Sequence, residues 1–282
     1  MSFHLDTHLT VDHPVTPLWE QSEPGDKTIS DTTGHETLVG GAGNNTINAT
    51  HGGDTIYSGF GPANIYSGGG NTIHADGPNT VLHGSSGNDT IYANGGPNSI
   101  VVDESSGHNT IYGSVNGGDR IYDGSVGGDV IDLSGSHGAE FAFGGGGHST
   151  IFAGQGANTI LTGNGHADVI GGGGASDITT GTGSTDIYRG SGADTIHIGQ
   201  NSGDVVIHSF NSAQGDSLDL SKAADWNAPG VKFEAQPMDS GFTPNHVPGV
   251  ELSMPNGHRV DILGMTYAQY QQDIAAHEIY FD

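Results

Sequence analysis

Gly40-Gly41-Ala42-Gly43-Asn44-Asn45-Thr46-Ile47-Asn48 sets a pattern to which the chain keeps returning: a glycine-rich turn, an Asn or Asp, a Thr, and one branched apolar residue. Asp54-Thr55-Ile56 and Asp89-Thr90-Ile91 restate it. The apolar member recurs as Leu38, Ile47, Ile56, Ile65, Ile73, Val81, Ile91, Ile100, Ile111, Ile121, Ile131, Phe141, Ile151, Ile160, Ile170, Ile178, Ile187, Ile196 and Val206, at intervals of 8 to 11 residues. Such a unit is too short for a helix and its turn, but it holds a short strand followed by a tight glycine turn. Of the 50 glycines, 43 lie between Gly34 and Gly203, so the glycine excess belongs to the repeat. No glycine recurs at every third position, which excludes a collagen-like chain.

Two units make one coil of a parallel solenoid. The central apolar residue points inward, and the residues on either side of it point outward because side chains alternate along a strand. One coil buries too little to be stable alone, so stability comes from stacking. The expected fold is all-β: a parallel β-roll of about nine two-strand coils with short terminal caps. Residues 1–33 are expected to be an N-terminal cap or arm, 34–210 the roll, and 211–282 a β-rich C-terminal cap. Within the last segment, residues 249–263 read as two strands around a Pro-Asn-Gly turn.

The Gly40–Asn48 stretch resembles the RTX, or haemolysin-type calcium-binding, nonapeptide Gly-Gly-x-Gly-x-Asp-x-hydrophobic-x, with Asn45 in the Asp place. Gly190-Ser191-Gly192-Ala193-Asp194-Thr195-Ile196 keeps the aspartate. The resemblance implies a β-roll that holds Ca²⁺ between neighbouring turns through carboxylate and carbonyl oxygens. Two residues before each inward position, one side of the coil reads Glu36, Asp54, Asn71, Asp89, Asn109, Asp129, Ser149, Asp168, Thr185, Asp204. The other reads Asn45, Ala63, Asn79, Asn98, Asp119, Ala139, Asn158, Ser176, Asp194. Candidate calcium ligands are therefore Asp54, Asp89, Asp119, Asp129, Asp168, Asp194 and Asp204. Apart from Glu36 beside Asp54, no neighbouring coils both supply an acid in this alignment. Ca²⁺ wants six to eight oxygens and responds to ligand charge, so partial occupancy is expected. The alternation of Asp and Asn limits carboxylate repulsion and suits a roll that folds with little metal.

Outward positions carry a threonine ladder, which suggests an ice-binding surface but which strand propensity explains better. After the inward residue comes a row of Tyr57, His74, Tyr92 and Tyr112, continued by Phe152 and Tyr188. These are candidate interaction residues, and they also support strands by stacking on one another. The 16 histidines are dispersed, with no His-Glu-x-x-His and no compelling carboxylate–histidine spacing, so neither zinc nor a catalytic site is expected.

A formal charge of -26 repels nucleic-acid backbones and anionic membranes. No run of apolar residues is long enough to span a bilayer. Cysteine is absent, which removes disulfides and thiol chemistry. No basic and apolar leader opens the sequence. The closing stretch from Gly264 to Asp282 is similar to the uncleaved C-terminal export region of the RTX family, which implies a type I exporter and a secreted, extracellular or cell-surface location. With neither a Gly-x-Ser-x-Gly elbow nor an acid–base constellation in view, a non-enzymatic structural or interaction protein is expected. It would serve a matrix, surface layer, adhesive complex or filament by self-association, or bind a polysaccharide or surface protein. The alternatives are a calcium-responsive binding module, and a glycan-processing enzyme or toxin effector carried on a roll.

Overall fold

The computed structural model describes residues 8–10, 25–84, 87–96, 100–103, 106–124, 126–223, 234–238, 249–254 and 257–281. The chain divides into two compact units, Met1–Phe141 and Ala142–Asp282. In each, short strands of two largely parallel sheets alternate along the repeats, so that a repeat strand pairs with the strand one coil away.

In the first unit, Thr28–Ser30, Asn45–Ala49, Ala63–Ser67, Val81–Gly84, Ile100–Asp103 and Arg120–Asp123 pair in succession in one sheet. The other sheet runs Thr37–Val39, Thr55–Tyr57, Thr72–His74, Thr90–Tyr92, Thr110–Tyr112 and Val130–Asp132. The register stacks like on like: Leu38, Ile56, Ile73, Ile91, Ile111 and Ile131 form one inward column, each with no exposed surface. Burying one such side chain contributes roughly 1.5–3 kcal/mol.

Glycine is required where neighbouring coils nearly touch. A Cβ on Gly163 would lie 1.9 Å from the Gly145 carbonyl oxygen, and Gly59 adopts φ +87° in its turn. No other residue meets either demand without moving the backbone.

Of the expected N-terminal cap, residues 1–7 and 11–24 lie outside the described residues. His8–Thr10 pairs in parallel with Thr28–Ser30, and Ile29 is buried in line with Ile47.

In the second unit, Asn158–Leu161, Ser176–Thr179, Thr195–His197, Ser217–Asp219 and Ile279–Tyr280 succeed one another in one sheet. His148–Phe152, His166–Ile170, Thr185–Tyr188, Val205–His208 and Arg259–Leu263 do so in the other. The strands read around the Pro-Asn-Gly turn are Gly249–Ser253 and Arg259–Leu263, and they pair antiparallel. Glu234–Met238 extends that pair. The last segment forms a helix, Tyr267–Ala275, capped by the Thr266 side chain, which accepts from the Gln269 N–H at 3.2 Å. Tyr270 and Ile279 are buried, so this segment closes the core of its unit.

The inward register differs from the sequence reading at five places. Leu82, rather than Val81, is fully buried, while Val81 is only half-buried. Ala142 replaces Phe141, Val169 replaces Ile170, and Ile207 replaces Val206. Val101, rather than Ile100, is in register with Leu82 and Ile121. In each case two apolar neighbours compete for one inward place, and a slip of one residue turns every side chain to the other face. Ile160 is inward as expected.

Candidate metal turns

The corrected register redraws the column two residues before the inward position. In the first unit, one side holds Glu36, Asp54, Asn71, Asp89, Asn109 and Asp129. Each after Glu36 accepts from the backbone one coil back: the Glu36 N–H donates to Asp54 Oδ1 at 2.8 Å, Asp54 N–H to Asn71 Oδ1 at 2.8 Å, and Asn71 N–H to Asp89 Oδ1 at 2.7 Å. The Asp89 N–H donates to Asn109 Oδ1 at 2.8 Å, and Asn109 N–H to Asp129 Oδ1 at 2.5 Å. Asp and Asn serve this ladder equally, because it uses only one acceptor oxygen.

The second oxygen separates them. Asp54 Oδ2, Asp119 Oδ1 and Asp194 Oδ2 are buried and meet no donor. Burial pushes Asp54 and Asp194 upward from their ordinary carboxylate value, as expected for charge held away from water without full compensation. At the Asn45 and Asn158 turns the amide oxygen likewise meets no donor, but it is neutral and the amide nitrogen donates. Asn45 Nδ2 donates to the Gly41, Gly43 and Ser58 carbonyls at 3.2, 3.0 and 3.4 Å. Asn158 Nδ2 donates to the Gly154 and Gly156 carbonyls at 3.3 and 2.9 Å. Turn carbonyls that converge on one point are thus satisfied by a neutral donor where Asn is present. Where Asp is present that amide donor is missing, and a hard cation of high oxygen demand would supply the positive charge in its place. Replacing Asn45 with Asp is therefore expected to destabilise the protein in chelator by about 1–3 kcal/mol, with calcium restoring most of the loss. Thermal melts with and without calcium measure both halves of this result.

Acidic neighbours do occur. The Phe141 reading placed Ala139 in the column, whereas the true occupant is Glu140, which is buried beside Asp119. Glu140 Oε2 accepts from the Asp119 N–H at 2.7 Å, and Oε1 accepts from the Ser136 hydroxyl. Asp119 Oδ2 accepts from the Ser114 N–H at 2.6 Å. Burial raises Asp119 to about 6, and burial raises Glu140 to about 7, with Asp119 adding repulsion. Asp216 follows Asp194 one coil on, donating no charge relief to it: the Asp194 N–H donates to Asp216 Oδ1 at 3.1 Å. Asp216 Oδ2 already meets Arg189 Nε at 3.1 Å and the Asn211 N–H at 2.8 Å. There a guanidinium occupies the cationic role.

Asp168 and Asp204 lie outside this column. Ala167 and Val205 take the buried places, leaving Asp168 on the outer face and Asp204 half-exposed against His258 and the Arg259 N–H. In the first unit the aromatic row stacks along the sheet: Tyr57 and His74 at 4.7 Å, His74 and Tyr92 at 4.9 Å, Tyr92 and Tyr112 at 5.0 Å, with ring planes nearly parallel. In the second unit the row is Phe152, Ile170, Tyr188 and His208, and Tyr188 stacks on His208 at 4.1 Å. On the opposite sheet of the first unit, Tyr66 stacks on His83 at 5.0 Å.

Parallel coils with like residues in register and glycine turns define a parallel β-roll. The model of the RTX calcium-binding nonapeptide repeat matches residues 30–62, 65–100 and 134–168, and the chain carries the repeats of that family, which binds calcium. Comparison with curated proteins and with solved structures returns no match. The RTX roll is typical of non-catalytic repeat proteins that are commonly secreted. Among the described residues, no helix is long and apolar enough to cross a membrane.

Proposed function

We propose that this calcium-binding repeat protein is a secreted, non-enzymatic structural or interaction protein that works through its repeated outer faces, associating with copies of itself into a filament or layer. The observation that carries this reading is the stacked row of Tyr57, His74, Tyr92 and Tyr112, whose rings remain partly exposed after stacking. Aromatic rings give a large contact area at low entropy cost, and a thin repeated scaffold presents them at fixed spacing so that weak contacts add. Tyr66 and Tyr188, 46% and 43% exposed, extend the same character to other faces. A polysaccharide or surface protein is the alternative occupant of these rows. The C-terminal segment, from Gly264 onward, serves in this reading both as a cap and as the signal for a type I exporter.

Calcium enters as a stabiliser and as a regulator of that association. The proposed ligands are Asp54, Asp89 and Asp129 on one side and Asp119, Glu140 and Asp194 on the other, with turn carbonyl oxygens completing the set. Bound calcium supplies positive charge among these buried carboxylates. Because Asn and Arg189 already satisfy other turns, the protein keeps substantial β-structure in chelator and gains stability with millimolar calcium.

The charge of -26 opposes association at low salt, and screening or calcium relieves that opposition. Light scattering and electron microscopy across protein, salt and calcium concentration should therefore show assembly that strengthens with both ions. Combined Tyr57→Ser, Tyr92→Ser and Tyr112→Ser substitution weakens it while circular dichroism stays unchanged. A strictly monomeric protein under every condition defeats the self-association reading.

A further inference from the structure

We propose that the outer face of the second unit carries a transition-metal site of the Zn²⁺ class, formed by His148, His166 and Asp168 and separate in chemistry from the calcium turns. The coil length brings these residues together. Strands His148–Phe152 and His166–Ile170 pair in parallel with His148 opposite His166, and Asp168 lies opposite Thr150 on the same face. His148 Nε2 is 2.9 Å from Asp168 Oδ2, and His166 Nε2 is 3.4 Å from Asp168 Oδ1. One ligand atom from each residue fits within a span of 4.8 Å. Donors bound to one tetrahedral zinc ion are about 3.3 Å apart, as follows from bonds of about 2.0 Å, so a small closing movement of exposed side chains is sufficient.

Two further features point to a ligand. The other ring nitrogen of His166, Nδ1, lies 2.7 Å from Ser184 Oγ. With Nδ1–H donating to that hydroxyl, Nε2 keeps its lone pair toward Asp168, which is the arrangement that orients a metal-binding imidazole. The two imidazoles also meet edge-on, at 80° and 4.5 Å, whereas the aromatic pairs of the neighbouring rows stack within 10°. The edge-on form directs both Nε2 atoms to one carboxylate. Asp186 stands next in the column, with Oδ2 3.6 Å from His166 Nε2 and Oδ1 3.7 Å from His208 Nε2, and adds negative charge beside the three ligands.

Imidazole nitrogen with one or two carboxylates suits zinc and related ions, while calcium prefers an all-oxygen shell. The site is half-exposed and open to solvent.

The test uses the full chain in excess calcium, with Zn²⁺ titrated by calorimetry and Co²⁺ as a visible-absorption probe of four-coordinate geometry. One Zn²⁺ site is expected, weakened at least tenfold by His148→Gln, by His166→Gln and by Asp168→Asn, each with unchanged circular dichroism. A triple His4→Gln, His8→Gln, His13→Gln variant controls for the N-terminal histidines and retains the site. Absence of Zn²⁺ binding in calcium overturns the proposal. So does binding that survives His148→Gln and His166→Gln but is lost in the N-terminal variant.

Discussion

Leu82→Asp is expected to abolish the cooperative unfolding transition of the first unit, whereas Val81→Asp, one residue earlier in the same strand, leaves it intact. Leu82 has no exposed surface and lies between Ile65 and Val101 in the parallel register. A carboxylate there enters a fully buried apolar column beside Ile65, and its cost is several kcal/mol, comparable with the whole stability of a domain of this size. Val81 is half-buried and pairs with outward Asn64, so its charge stays hydrated and the cost is about 1 kcal/mol or less. Ile160→Asp, with Ile160 fully buried in the second unit, should behave like Leu82→Asp. Denaturant unfolding of the three variants distinguishes the two faces of one strand. Equal loss at Val81 and Leu82 would contradict the register.

The second large effect concerns the buried acids. Asp119 and Glu140 titrate at about 6 and about 7 in the folded chain, above their ordinary values, chiefly because burial disfavours the charged forms. The folded state therefore holds protons that the unfolded state has released between about pH 4 and pH 7. Stability from this pair is greatest at the acidic end, falls as pH rises through that window, and is flat above it. Combined Asp119→Asn and Glu140→Gln substitution removes the ionisable groups and keeps acceptors for the Ser114 and Asp119 N–H groups. In chelator at pH 7.5 the double variant should be more stable than the parent by a few kcal/mol, with the difference shrinking toward pH 4. Calcium should reverse the order, since a cation stabilises only the parent at this turn, by an amount that grows with its concentration relative to the dissociation constant. Melting curves across pH, with and without calcium, supply the measurement. A double variant that is less stable than the parent in chelator at neutral pH falsifies the assignment of an uncompensated acid pair.

The fold was legible because one residue type, a β-branched or leucine side chain, recurs between glycine turns, and nothing but a stacked strand accommodates that interval. Its register was ambiguous wherever two apolar residues adjoin, as at Val81-Leu82 or Val169-Ile170, since a pattern of period two cannot choose between them. That ambiguity hid Glu140 behind Ala139 and moved Asp168 into the wrong column. Asp216 was missed for another reason: the repeat was followed only as far as Val206, although Leu218 continues it. The histidine cluster leaves no mark at a spacing of nine. It appears only at the coil length of 18, which separates His148 from His166 and Asp168 from Asp186. The partnering of Asp216 with Arg189 rests on a contact across turns that no local motif announces.

The amide of Asn45, set among three turn carbonyls, has a consequence for how such a molecule varies over generations. Aspartate and asparagine codons differ by one base, so each turn stands a single substitution from exchanging a bound ion for an internal donor. Because a solenoid's stability is close to a sum over neighbouring coils, such an exchange alters one turn and leaves distant ones as they were. Mineral demand can then drift coil by coil, in either direction, with the chain folded at every step.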